Sequence, residues 1–116
     1  MSITIYHNPR CSKSRETLAL LESHHIQPTI ELYLQHNYDV ETLQSIADKL
    51  GITDIRQMMR TKDELYKTLE LDNPSLTAQD LLNANAQHSE LLERPIVVNG
   101  NKAKIGRPPE SVLSIL

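Results

Sequence analysis

The sequence predicts an α/β fold in which a small sheet, built from a βαβ half and a ββα half, is interrupted by a helical insertion. Three observations predict it. Strand, helix and strand patterns alternate over the first 33 residues, and helical patterns run through roughly residues 38 to 92. Two short apolar runs around Asn99-Gly100 then precede a final helical segment. At 116 residues the chain has the length of one domain with one hydrophobic core, so we take residues 1–116 as a single domain.

The first half of the predicted sheet lies at the N-terminus. Residues 2 to 6, SITIY, form a β-branched run that ends at Asn8-Pro9, which is typical of a strand followed by a turn. The spacing becomes helical from Ser12, and residues 28 to 33, PTIELY, alternate again as a second strand. A strand, a helix and a strand in so short a span indicate a βαβ unit with parallel strands. One face of the predicted helix carries Ser14, Leu18, Leu21 and His25.

The middle of the chain, roughly residues 38 to 92, is predicted to be helical throughout. Asp39 is the expected N-cap of a helix that stops at Gly51. Further helical pieces follow in ITDIRQMM, DELYKTL and TAQDLLNANA. The last of these opens on Thr77 with Asp80 three residues on, a variant of the capping box.

The second half of the sheet follows Arg94-Pro95. The runs IVV and KAKI flank Asn99-Gly100, and such a pair predicts a β-hairpin. PPESVLSIL closes the chain as a short helix, because proline is tolerated in the first turn. The order βαβ, helical insertion, ββα describes a thioredoxin-like (glutaredoxin-like) sheet with a helical insertion between its halves.

The composition excludes several classes of protein. A formal net charge of −3 and a pI of about 5.9 argue against a general nucleic-acid binder, which is usually strongly basic. No apolar run approaches the roughly 20 residues of a membrane span, and MSITIYHN lacks the features of a signal peptide. One cysteine cannot form an internal disulfide, so a reduced, cytoplasmic setting is expected. Because Phe and Trp are absent, the core must be built mainly from aliphatic side chains.

The one cysteine, Cys11, lies in HNPRCSKSR at the predicted junction of strand and helix. A lone cysteine is usually a small buried hydrophobe. Here, however, the start of a helix favours a thiolate, and Arg10, Lys13 and Arg15 add positive charge. Ser14, three residues later, is placed to donate a hydroxyl hydrogen bond to the sulfur. We therefore interpret Cys11 as a functional cysteine at an anion-binding loop.

Two familiar cysteine motifs do not fit this loop. The protein-phosphatase loop needs an arginine where Thr17 stands, and the dithiol redox motif needs a second cysteine where Ser14 stands. His7 either stabilises a thiolate electrostatically or ends the strand with its ring in solvent, and the sequence leaves both open. The remaining histidines lack metal-ligand spacing, so we expect no metal site and place them at the surface: His24, His25, His36 and His88.

Three arginines are singled out by their context, although a single arginine is usually a solvated surface charge. Arg60 ends an apolar helical face, Arg94 precedes Pro95 directly before a strand, and Arg107 lies in IGRPPE beyond the hairpin. In a thioredoxin-like sheet the peptide before this strand lies beside the cysteine loop, often with a cis proline. The predicted fold would therefore bring Arg94 to the cysteine.

Taken in order, IYHNPRCSKSRETL, ERPIVV and IGRPPE resemble the glutaredoxin-linked arsenate reductase (ArsC) family over essentially the whole chain. The resemblance implies a thioredoxin-like fold with a helical insertion. Within the loop, the chain departs from well-studied members by carrying Arg10 and Lys13 in place of small residues. The residues that match the family's functional positions are the nucleophile Cys11, the oxyanion-binding Arg60, Arg94 and Arg107, and His7 and Ser14, which support the thiolate.

The function that the resemblance implies is reduction of arsenate to arsenite, in arsenic detoxification, through one nucleophilic cysteine. Since the chain has a single thiol, an outside thiol must complete the reaction; the resemblance implies glutathione as co-substrate and glutaredoxin as partner, with no bound cofactor. We expect a cytoplasmic monomer without nucleic-acid or membrane partners. Two alternatives remain: an ArsC-like, glutathione-linked thiol protein with another substrate, and an Spx-like regulator that binds RNA polymerase. The latter typically carries a Cys-x-x-Cys switch, which CSKS lacks.

Overall fold

The computed structural model describes residues 2–116. The chain divides into a sheet unit, which runs to Gln35 and resumes over Arg94–Leu116, and a helical unit, His36–Glu93. No helix in residues 2–116 has both the length and the apolar character of a bilayer-spanning segment. Strands and α-helices follow in the order β1 (Ile3–Tyr6), α1 (Ser12–Ser23), β2 (Thr29–Glu31), α2 (Val40–Leu50), α3 (Glu64–Thr68), α4 (Ala78–Gln87), β3 (Ile96–Asn99) and β4 (Lys102–Ile105). Short 3₁₀ helices lie at Tyr33–Gln35, Ile55–Met58, Ser89–Leu91 and Pro109–Ile115.

The four strands described in residues 2–116 form one sheet in the order β2-β1-β3-β4. β1 runs parallel to β2, with Thr4 opposite Thr29. β1 runs antiparallel to β3, with Ile5 opposite Val97, and β3 runs antiparallel to β4. The strand pairings of the predicted βαβ and ββα halves are therefore confirmed, and the two halves meet along β1 and β3.

The core of the sheet unit is mainly aliphatic, as the composition predicts, although the aromatic Tyr33 is also fully buried. Side chains from the two central strands, from α1 and from the final 3₁₀ helix form one buried cluster: Ile5, Leu21, Val97, Val112 and Ile115. Burial of this cluster removes apolar surface from water and fixes α1 and the C-terminal segment against the sheet. The loop that follows β1 therefore delivers Cys11 to the N-terminus of an anchored helix.

The helical unit begins and ends its main helices where the sequence predicts. The Asp39 carboxylate accepts the N–H of Thr42 at 2.8 Å, and α2 ends at Gly51, whose φ of +69° is left-handed. At the start of α4, the Thr77 hydroxyl accepts the Asp80 N–H at 3.1 Å, while the Asp80 carboxylate accepts the Thr77 N–H at 2.9 Å. Both predicted caps are confirmed, and α2 and α4 pack against each other.

Several predicted boundaries are wrong. β2 spans only Thr29–Glu31, and Tyr33 belongs to a 3₁₀ helix. His25 lies beyond the end of α1 with a φ of +62°, so it does not share the helical face predicted for it. ITDIRQMM yields only a short 3₁₀ helix, because Met59 turns extended and pairs with Leu92.

The hairpin turn lies one residue later than the Asn-Gly signal indicates. Asn99 still belongs to β3, where it pairs with Lys102, so the central turn residues are Gly100 and Asn101. Gly100 has a φ of +63°, the conformation that a two-residue hairpin with glycine in its first position requires. The closing segment is a 3₁₀ helix, Pro109–Ile115.

Candidate active site

The loop between β1 and α1 is held by hydrogen bonds that Asn8 accepts. The Asn8 backbone carbonyl accepts the N–H of Cys11 at 3.0 Å, and its side-chain carbonyl accepts the N–H of Arg10 at 3.0 Å. Cys11 is the N-cap of α1, with extended φ and ψ of −92° and 124°. Its thiol is free and half-buried. The sulfur therefore lies at the positive end of a helix whose first N–H groups have no partner within the helix.

The net effect of this environment is to lower the pKa of the Cys11 thiol. Burial by itself raises the pKa, since it penalises the charged thiolate. Two kinds of interaction together outweigh the effect of burial and lower the pKa. They are hydrogen bonds from the backbone N–H groups of Ser14 and Lys13, and the positive charges of Arg94 and Arg107. A lowered pKa increases the thiolate fraction near neutral pH, and the thiolate is the nucleophile.

Arg107 is the side chain that directly contacts the sulfur. Its Nη2 lies 3.5 Å from Cys11 Sγ, across 96 residues of sequence. Its Nε donates to the backbone carbonyl of Arg94 at 2.8 Å, so two predicted arginines meet at the cysteine. Both are followed by proline through cis peptide bonds, Arg94–Pro95 and Arg107–Pro108. The charges of both arginines favour the Cys11 thiolate, and their role in binding an anion stays a prediction.

His7 and Ser14 form a buried pair behind the loop. His7 Nδ1 lies 2.7 Å from Ser14 Oγ, and Ser14 Oγ also accepts the N–H of Asn8 at 3.0 Å. Burial, reinforced by the charge of Arg15, lowers the pKa of His7 and favours its neutral form. The ring of His7 is therefore buried and does not end the strand in solvent, while its support of the thiolate stays a prediction. The Ser14 hydroxyl bonds His7 and Asn8, so Ser14 lowers the pKa of the Cys11 thiol through its backbone N–H and not through the predicted hydroxyl.

The other basic side chains of the loop are directed to the surface. Lys13 Nζ pairs with Glu16 at 3.4 Å, and Arg15 Nη1 donates to the Pro9 carbonyl at 3.0 Å. Arg10 is exposed. The pKa of the Cys11 thiol therefore depends less on the basic residues of its own loop than on Arg94 and Arg107, which are distant in sequence.

Arg60 belongs to the helical unit. Its Nη1 pairs with the Asp63 carboxylate at 3.4 Å, and its backbone N–H donates to Leu91 at 2.8 Å. Its role as a third anion-binding arginine stays a prediction. The other histidines lie away from buried positions, as expected: His24, His25 and His36 are exposed and His88 is half-buried.

Three residues of this site were not singled out from the sequence. Asn8 holds the loop through its side-chain oxygen, which accepts the N–H of Arg10. The Asn-Pro pair in the sequence indicates a turn, and asparagine side chains commonly bond the backbone two residues on. Thr17 and Gly106 pack closely together beside Arg107. That contact has no local signal, because its partners are distant in sequence.

Comparison with known proteins identifies the family of the chain. Residues 6–115 match the model of the ArsC family. The chain is 71% identical to an arsenate reductase of Haemophilus influenzae, over all of both chains. It is 49% identical to the uncharacterized protein YfgD of Escherichia coli, over 98% of this chain and 96% of that one. An arsenate reductase structure from Vibrio cholerae superposes with a TM-score of 0.98 at 52% identity, covering 100% of this chain and 98% of the other. Because the family model matches nearly the whole chain, and the sequence and fold match those of arsenate reductases from end to end, the chain belongs to the ArsC family.

Proposed function

We propose that this protein is an arsenate reductase that uses Cys11 as its one nucleophile and takes its reducing thiols from glutathione and glutaredoxin. The observation that carries the proposal is the contact of 3.5 Å between Arg107 Nη2 and Cys11 Sγ at the start of α1. This contact brings together a thiol of lowered pKa, which can act as a nucleophile, and a guanidinium that can donate hydrogen bonds to an oxyanion. The 71% identity to an arsenate reductase supports arsenate as that oxyanion.

Binding comes first in the proposed reaction. Arsenate is a tetrahedral oxyanion, and a guanidinium can donate paired hydrogen bonds to one edge of it. Arg107 and Arg94 supply such donors beside the sulfur, and the first N–H groups of α1 add to them. Arg60 is proposed as the third arginine. These groups also stabilise the negative charge that develops on the oxygens during attack.

In the chemical step, the Cys11 thiolate attacks arsenic and a sulfur–arsenic bond forms. One arsenate oxygen leaves and takes up protons to become water. Reduction from arsenate to arsenite requires two electrons, which two thiols supply when they join in one disulfide. Because the chain contains a single cysteine, an outside thiol must join Cys11 in that disulfide. As the outside thiolate attacks the Cys11 sulfur, the sulfur–arsenic bond breaks and its electron pair stays on arsenic, which leaves as arsenite. Glutathione meets this requirement, and glutaredoxin then reduces the mixed disulfide between glutathione and Cys11.

The test is a coupled assay with arsenate, glutathione, glutaredoxin, glutathione reductase and NADPH. We expect arsenate-dependent oxidation of NADPH with the wild type and none above background with Cys11→Ser. The serine hydroxyl does not ionise near neutral pH, so it cannot replace the thiolate. Circular dichroism of both proteins provides the control for folding.

The assay also separates the proposal from its alternative. Arsenate reduction that persists in Cys11→Ser would disprove the role of Cys11. If the wild type shows no arsenate-dependent turnover but retains a low thiol pKa, the protein is an ArsC-like thiol protein with a different substrate.

A further inference from the structure

Gly106 lies between β4 and Arg107 and packs directly against Thr17 of α1. Both residues are buried, and Thr17 is fully so. A methyl group added at Gly106 would lie 2.5 Å from Thr17 Oγ1 and 3.1 Å from Thr17 Cγ2. Gly106 is not among the glycines of positive φ, so close approach and not backbone conformation requires glycine here.

Gly106 also contacts Pro95, the residue after Arg94, and Thr17 is hydrogen-bonded to the first turn of α1. The Gly106 N–H donates to the Pro95 carbonyl at 2.9 Å, and an added methyl group would lie 2.9 Å from Pro95 Cγ. On the helix side, the Thr17 hydroxyl donates to the Lys13 carbonyl at 2.8 Å. Gly106 and Thr17 thus connect the turn that surrounds the sulfur with the backbone that carries both arginines.

We infer that Thr17 and Gly106 are positioning residues, whose close packing holds the Arg107 guanidinium at the sulfur of Cys11. Arg107 is exposed. Its position is fixed by its own backbone and by the bond of 2.8 Å from its Nε to the Arg94 carbonyl. A side chain at position 106 would separate α1 from this backbone and carry the guanidinium away from the sulfur. The expected effect on turnover rests on the proposed arsenate reductase function.

The first test is Gly106→Ala. We expect the pH profile of Cys11 alkylation by iodoacetamide to move to higher pH, because a positive charge that favours the thiolate has moved away. The value of kcat/KM for arsenate should fall by about tenfold or more, since a misplacement of about 1 Å can cost about 100-fold in rate. The alkylation profile needs no arsenate, so the inference and the proposed function can fail separately.

Two further variants show whether the contact with Thr17 is the cause. Thr17→Ala removes both atoms that a methyl group at position 106 would meet on α1. In the double variant, Gly106→Ala with Thr17→Ala, we expect an alkylation profile closer to the wild type than that of Gly106→Ala alone. Strictly additive shifts would show that the two sites do not interact and would overturn the inference.

The matched control is Gly51→Ala in the helical unit. Gly51 has a φ of +69° with open space around its Cα, so alanine there strains the backbone without a collision. We expect lower stability and an unchanged alkylation profile. If Gly106→Ala folds and keeps the wild-type profile, or if Gly51→Ala shifts the profile equally, the inference is wrong. If Gly106→Ala does not fold, Thr17→Ser carries the test, because it removes only Cγ2 from the contact. We expect a smaller shift of its alkylation profile to higher pH, and an unchanged profile would overturn the inference.

Discussion

Ser14 shows how one residue serves the site through two separate groups. Its backbone N–H stabilises the Cys11 thiolate, whereas its hydroxyl lies 2.7 Å from His7 Nδ1. The hydroxyl also accepts the Asn8 N–H, so the buried side chain ties the end of β1 to the first turn of α1. The geometry of the loop therefore depends on the hydrogen-bonded side chains of His7 and Ser14, although the bond between them does not involve the sulfur.

The lowered pKa of His7 predicts a loss of stability in acid. Burial, and then the charge of Arg15, disfavours the protonated ring in the folded state, so the unfolded chain takes up the proton more readily. The contribution of His7 to stability is therefore complete above its ordinary pKa of 6.5 and is lost as the pH falls through the lower folded-state value. We expect the Tm of His7→Asn to depend less on pH than that of the wild type, between about pH 7.5 and about pH 5.

Asparagine keeps a polar group near the position of Nδ1 but does not titrate in this range. Thermal unfolding at a series of pH values provides the measurement. The control is His24→Asn, the same substitution at an exposed histidine, which should follow the wild-type curve. Equal pH dependence in His7→Asn and the wild type would show that His7 is not the group responsible.

At the scale of elements, the best-predicted features are the helix caps. Asp39, Gly51 and Thr77 all stand where the sequence places them, because a cap involves residues within one turn of each other. The 3₁₀ helix at Ile55–Met58 is the opposite case. Its helical spacing predicts a longer helix, but pairing of Met59 with the distant Leu92 ends it.

The reciprocal cap of α4 predicts a specific loss of stability. Thr77→Ala leaves the Asp80 N–H without its side-chain acceptor and should lower the free energy of unfolding by about 1 kcal/mol. Thr77→Ser keeps the acceptor oxygen and should lose much less. Urea denaturation followed by circular dichroism measures both. An equal loss in the two variants would mean that the methyl group of Thr77, and not the cap, is important.

At the scale of the whole molecule, the site is assembled from the two ends of the chain. Cys11 and Arg107 are 96 residues apart in sequence and meet because β1 pairs with β3 at the centre of the sheet. The helical unit occupies the sequence between them, His36–Glu93. Insertion of this unit leaves the pairing of the two halves of the sheet intact.

The single cysteine predicts which reductants sustain turnover. Because no internal disulfide can form, a reductant that acts on a disulfide within the enzyme has no substrate here. We expect turnover with glutathione and glutaredoxin, and only background rates when thioredoxin and thioredoxin reductase replace them. Arsenite production measured directly, without the NADPH coupling, provides the control. Full activity with thioredoxin alone would contradict the proposed source of the thiols.

The order of the elements and the caps of α2 and α4 follow from the sequence alone, as does the selection of Cys11 as the candidate nucleophile. Each of these is encoded by neighbouring residues through spacing, capping chemistry or uniqueness. The family resemblance already pointed to Arg94 and Arg107, but the tertiary structure was needed to show that their charges lower the pKa of the Cys11 thiol, whereas Arg10 and Arg15 are nearer in sequence. The tertiary structure also decided that position 106 must be a glycine. That requirement arises from a contact with α1, which the local sequence around Gly106 does not encode.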